Sequence, residues 1–291
     1  MTKYKHIPQE SPQSIRRKLA NFIRPYPRLR SFILRTESII KLPFKFFTFV
    51  IGYAVERLFR KREYLISRAN ATYFGDRFAT MNYVAFLHDE KFKKAYNDTF
   101  ALVDVKKAYS VRSLDISWRA HIVTWAANQA LKLEGDFVEC GVWYGFLSRV
   151  ICQYVDFETH PNKKFYLVDT WGDPEDNDKN HCNYKEDVFE VVKERFKDYP
   201  NIEFVRGFVP DILNSIQPRK ISYLSIDMNG AIAERKTLER YYDLIVPGGV
   251  IYFDDYGWNY PELRNTVDEF FSDKPEKLLH FPSGNSIVVK L

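Results

Sequence analysis

From Gly135 onward, short apolar runs alternate with stretches whose apolar residues recur at helical spacing. The runs Phe137–Val142, Phe165–Val168, Ile202–Val205, Ile221–Ile226 and Val250–Phe253 are β-rich. Helical patterns lie between and after them at about Leu147–Val155, Glu186–Phe196, Ala233–Leu244 and Pro261–Phe271. Strands that read as continuous apolar runs, spaced by helices, argue for a parallel sheet covered on both faces. Leu278–Phe281 and Ser286–Val289, joined by Pro282-Ser283-Gly284-Asn285, read as a closing hairpin. The pattern predicts an α/β fold with a doubly wound, Rossmann-like sheet of seven strands.

Upstream the periodicity fades by steps. Trp118, Ile122, Trp125, Ala126 and Gln129 follow the helical period, and Gly135 is a natural C-cap after Leu133. Tyr64 to Leu114 is weakly helical, with Tyr83, Phe86 and Leu87 at helical spacing. Before that, Pro25 and Pro27 break any helix, and a Phe-rich patch runs from Phe44 to Phe59. We therefore expect a basic, aromatic-rich extension over 1–63, a helical lead-in over 64–117 and the main domain over 118–291.

Charge sharpens that division. The chain has 291 residues and net charge +5, yet residues 1–68 carry +12 and the remainder −7. Three scattered cysteines without a CxxC pair exclude a disulfide framework and a cysteine-rich zinc site, and point to a reducing compartment. The first twenty residues lack the apolar core of a signal peptide. The longest uncharged apolar run, Phe46 to Val55, is half the roughly twenty residues a membrane span needs. The expected location is cytoplasmic. Residues 15–62 combine Arg and Lys with Phe, Ile and Leu, which suits peripheral contact with an anionic membrane, here its inner face. The alternative is that this apolar side packs on the main domain or on a second copy in a homo-oligomer. Nucleic acid is not an expected partner, because no recognisable binding module accompanies the charge.

In open α/β sheets ligands bind beyond the carboxyl ends of the strands. The first strand ends Glu139-Cys140-Gly141-Val142-Trp143-Tyr144-Gly145 and leads into a helix. Its glycines permit close backbone approach, and the helix start adds positive potential. The second strand ends at Asp169, where a carboxylate can accept hydrogen bonds from ribose hydroxyls. The loop is not the dinucleotide fingerprint, and Glu139 would repel a pyrophosphate. A carboxylate there suits a sulfonium and an α-amino group, which points to S-adenosylmethionine over NAD. The fourth strand ends Asp227-Met228-Asn229, and the fifth, after Pro247-Gly248-Gly249, ends Asp254-Asp255-Tyr256-Gly257. Carboxylates crowded at adjacent strand tips repel one another, and a hard cation such as Mg²⁺ would relieve that. The bland reading has one of them capping a helix, one paired with Arg264 and one solvated.

These motifs together resemble the macrocin O-methyltransferase family: Gly135 to Val142, Tyr166 to Thr170, Ile226-Asp227, and Pro247 to Gly257. The resemblance covers about residues 118–291. It implies a class I S-adenosyl-L-methionine-dependent methyltransferase fold of seven strands, a divalent metal, usually Mg²⁺, and transfer to a sugar hydroxyl. By position, Glu139, Cys140, Gly141, Gly145, Asp169 and Thr170 would bind the cofactor, and Asp227, Asp254 and Asp255 the metal. The resemblance puts the catalytic centre at Asp227 and Asn229.

Asn229 departs from the family pattern, which has a second Asp as the proposed base. An amide cannot take a proton. The proton then goes to water, under activation by the metal, or to another group, such as His181 in the polar loop Gly172–Asn183. A non-catalytic cofactor-binding or membrane-surface module is the rival reading.

Overall fold

The computed structural model describes residues 66, 71–102, 115–172, 184, 187–258 and 260–291. The chain divides into two compact units, residues 1–65 and 66–291. The basic extension, its membrane reading and His181 lie outside the described residues.

The second unit begins with a small antiparallel hairpin, β1 (Tyr73–Gly75) and β2 (Phe78–Thr80). The weakly helical reading of Tyr64 to Leu114 is corrected for these hairpin residues, while Ala85–His88 forms a short 3-10 turn and Glu90–Leu102 a helix. Asp76 and Arg77 at the tip both take positive φ, 45° and 63°, which closes a two-residue turn and ends helical propagation. Helix α1 (Glu90–Leu102) and helix α2 (Ser117–Ala130) follow. Tyr73, Phe86 and Phe92 form an aromatic cluster with Trp118 of α2.

The main sheet has seven strands: β3 (Asp136–Cys140), β4 (Phe165–Asp169), β5 (Ile202–Arg206), β6 (Ile221–Ile226), β7 (Ile245–Phe253), β8 (Leu279–His280) and β9 (Ser286–Val289). Their order is β5-β4-β3-β6-β7-β9-β8. The first five run parallel, and β9 inserts antiparallel between β7 and β8. Helices α3 (Phe146–Tyr154), α4 (Phe189–Arg195), α5 (Ala231–Tyr241) and α6 (Pro261–Phe271) are the crossover elements. Successive residues of β3 enter different cores: Phe137 joins Ile151, Tyr223 and Tyr252, whereas Val138 and Cys140 join Leu224, Leu238 and Phe253. Both sheet faces are therefore covered, as the unbroken apolar strands require.

One segment expected ahead of the fifth apolar run lies inside its strand. Pro247-Gly248-Gly249 falls within β7, where the register jumps from Ile221↔Ile245 to Tyr223↔Val250 and Gly248 takes φ 84°. That bulge absorbs the glycines without ending the strand. Chain order reverses on either side of β3, which places the ligand crevice over the tips of β3, β4 and β6. Among the described residues, no helix is long and apolar enough to cross a membrane.

Candidate active site

The loop after β3 is tied to the tip of β4 by one carboxylate. Asp169 Oδ2 accepts the backbone N–H groups of Val142 (2.7 Å) and Trp143 (2.8 Å), and Oδ1 accepts that of Trp171 (2.9 Å). Both tryptophans have positive φ, 51° and 49°, a conformation that costs energy for a bulky residue. Asp169 offsets that strain. Burial nevertheless raises its affinity for a proton, against the pull of the three N–H groups. Thr170 is buried beside it, its hydroxyl 3.4 Å from Asp169 Oδ1.

The loop glycines serve packing first. A Cβ on Gly141 would stand 1.7 Å from the carbonyl oxygen of Asp227, and one on Gly145 2.7 Å from the Phe196 ring. Gly141 thus lets the tips of β3 and β6 meet. Cys140 points into the core, fully buried, its thiol pushed up to about 12 by burial. Its carbonyl accepts the Asp227 N–H at 2.9 Å, so Cys140 offers a ligand neither its thiol nor that oxygen lone pair.

Glu139 is different. It is buried, and its Oε2 has no hydrogen-bond partner. Burial, with smaller contributions from Asp254 and Asp169, pushes its carboxyl up to about 8. A buried carboxylate oxygen without a donor is costly unless a ligand supplies one. The α-amino group of S-adenosylmethionine is such a donor, so this residue fits the cofactor the loop suggests.

Across the β6 and β7 tips, Asp227, Asp254 and Asp255 each offer an oxygen, all within 4.8 Å of one another. Burial, then the charge of Asp254, pushes Asp255 up to about 7. Asp227 is raised well above the usual carboxylate range by burial of its carboxyl and by Asp254 and Asp255. Asp254 does not pair with Arg264. Its Oδ2 accepts from Arg119 of α2, and its Oδ1 accepts from Tyr252 Oη (2.5 Å) and Asn285 Nδ2 (3.0 Å). Arg119 also reaches Asp76 at the hairpin tip through Nε (2.6 Å) and Nη2 (2.8 Å). Asn229 lies apart on the exposed rim with φ 52°, a left-handed conformation that asparagine tolerates better than most residues.

The profile of the macrocin O-methyltransferase family matches residues 121–278, more than half of the chain. The chain belongs to the macrocin O-methyltransferase family. As a member it is an S-adenosylmethionine-dependent O-methyltransferase, which sets aside the non-catalytic reading. Among solved structures, it is similar to a proposed caffeoyl-CoA O-methyltransferase from Staphylococcus aureus. The identity is 12%, the match covers 71% of this chain and 98% of that one, and the TM-score is 0.52. That likeness shows the fold. The O-methyltransferase NovP is 21% identical over 59% of this chain and 79% of its own, with a TM-score of 0.49. CalS11, a TDP-rhamnose 3′-O-methyltransferase, is 16% identical over 59% and 78%, with a TM-score of 0.47. Among curated proteins, none matches at a significant level.

In this macrocin-family methyltransferase the strand tips hold more than the motifs foretell. Arg119, Asp76, Tyr252 and Asn285 surround Asp254. Glu234, in the first turn of α5, is buried and pushed up to about 8 by burial and by Asp255 and Asp254. An arginine at the start of a helix rich in Ala, Ile and Val is the sequence signal that could have exposed this network.

Proposed function

We propose that this O-methyltransferase acts on a sugar hydroxyl of a glycan or glycosylated metabolite, with a divalent cation held by Asp227, Asp254 and Asp255. The observation that carries the reading is the convergence of those carboxylates beside Glu139, whose Oε2 has no hydrogen-bond partner. The donor set fits a hard cation. It is all oxygen, it is crowded, and Arg119 is the cation bonded within it among the described residues. A carboxylate oxygen has two lone pairs, so Asp254 retains acceptor capacity after its three hydrogen bonds.

S-adenosylmethionine supplies an activated methyl group, and a divalent cation supplies the Lewis acidity that makes a sugar hydroxyl easier to deprotonate. The chain's part is alignment. Glu139 would hold the cofactor's amino group, and Asp169, with Thr170 beside it, holds the loop after β3 that would bind the rest of the cofactor. Asp227 and Asp255 orient the acceptor oxygen at the sheet edge. Asn229 contacts the acceptor through its amide and takes no proton, so the proton leaves to water at the rim.

The test incubates the full chain with labelled S-adenosylmethionine and extracted glycans, and follows the mass gain of one CH₂. Excess chelator should abolish transfer while leaving cofactor binding unchanged, and Asp255→Asn should mimic chelation. Transfer that persists in chelator, with no metal in the protein, makes the carboxylate cluster structural.

A further inference from the structure

The hairpin tip brings a second arginine to the edge of the carboxylate cluster. The Asp76 side chain is wholly buried and grips Arg119, which in turn binds Asp254. This pins the β1–β2 turn over the β7 tip. Arg77, the next residue, is held at φ 63° and is exposed. Its guanidinium carbon lies 3.8 Å from the centroid of the Trp258 ring. Among the described residues no carboxylate comes within ion-pair distance of it, although its positive charge is felt at Asp255.

Trp258 is itself built into place. Its backbone N–H donates to the Asp255 carbonyl (3.1 Å), and its Nε1 donates to the Ser283 carbonyl (3.3 Å). Arg119 also stacks on it, 4.6 Å from the centroid. A Cβ at Gly284 would come within 2.3 Å of Cδ1, so glycine there leaves the ring its room. A stacked guanidinium keeps its N–H edge free for a bidentate anion and loses little further freedom on binding. An anionic acceptor approaching Asp227, Asp254 and Asp255 meets three carboxylates, and Arg119 is already engaged by Asp254 and Asp76, whereas the Arg77 guanidinium is exposed.

We propose that Arg77 on Trp258 is an acceptor subsite that binds a negatively charged group, carboxylate or phosphate, carried beside the hydroxyl to be methylated. This rests on the reading that the hydroxyl sits at the Asp227–Asp255 edge, and it narrows the substrate class to anionic sugars.

The test uses the full chain labelled with 5-fluorotryptophan, the Trp258 fluorine signal being assigned by its loss in Trp258→Phe. Inorganic phosphate and, separately, acetate are titrated through the millimolar range at constant ionic strength. A saturable shift of the Trp258 signal is expected, with Arg77→Gln weakening binding about tenfold or more and Arg77→Lys falling between. A response to phosphate alone identifies a phosphorylated acceptor, and a response to acetate a uronic-acid type. No saturable shift with either anion, or a shift unchanged in Arg77→Gln, overturns the subsite and leaves Arg77 as a counter-charge only. Calorimetry with S-adenosylhomocysteine on the same samples separates the two claims. Absent cofactor binding strikes the proposed function, whereas intact cofactor binding without an anion response strikes only the subsite.

Discussion

Arg119→Met tests the buried ion triad. Its side chain is 9% exposed, that of Asp76 0% and that of Asp254 5%, so solvent screens none of the three appreciably. Removing the guanidinium leaves two buried carboxylates without a counter-charge, and Asp76 also loses bonds of 2.6 and 2.8 Å. Breaking a buried pair from one side costs about 3–5 kcal/mol. The same order follows from Coulomb's law, which gives about 4 kcal/mol at 4 Å with an effective dielectric of 20. For a domain of this size that lowers Tm by about 6–20 °C.

Thermal and urea denaturation followed by circular dichroism would measure the loss. Burial already raises the Asp76 carboxyl above its ordinary value. Without Arg119 the Asp76 carboxyl loses the bonds and charge that oppose that rise, so the variant should regain stability as pH falls and Asp76 becomes neutral. Adding Asp76→Asn should restore part of the loss at neutral pH. A cost below about 1 kcal/mol, the worth of an exposed pair, would refute the reasoning.

Gly141→Ala should yield little folded protein, since its Cβ would overlap the Asp227 carbonyl at 1.7 Å with φ at 88°; a melting curve like that of the parent would contradict the packing. Asp169→Ala releases three backbone N–H groups and should weaken S-adenosylhomocysteine binding by about 1.5–3 kcal/mol by calorimetry. Glu139, raised by burial from 4.5 to about 8, binds its proton more tightly folded than unfolded. The cofactor-free protein should therefore lose stability as pH rises across that window, and urea midpoints should show less of this loss in Glu139→Gln. His121, stacked 4.4 Å from Phe86, is lowered below 6.5 by burial, against a smaller pull from Asp89. Its contribution is full above 6.5 and lost as pH falls through the folded value, so His121→Phe should flatten the acid side of the curve.

The sheet was legible because its strands are buried on both faces and read as unbroken apolar runs. The convergence of Asp227, Asp254 and Asp255 was legible because each stands at the end of an apolar run, and such ends meet at one edge of a parallel sheet. Three features were not. The β1 and β2 strands are three residues each, too short for an alternating pattern to register. Helix α2 is buried on nearly every side, so periodicity hides that Arg119 points inward to Asp254. Glu234 looks like an ordinary acidic residue in a first helical turn until the fold places it under Asp255. Each depends on contacts between segments far apart in the chain, which local pattern does not carry.

The central claim is a cofactor site over the tips of β3 and β4, and calorimetric titration of the full chain with S-adenosylhomocysteine tests it most directly. The account predicts one-to-one saturable binding, unaffected by chelator and lost or strongly weakened in Glu139→Ala. A folded protein that takes up no S-adenosylhomocysteine, or a Glu139→Ala variant that binds it as the parent does, would contradict the account.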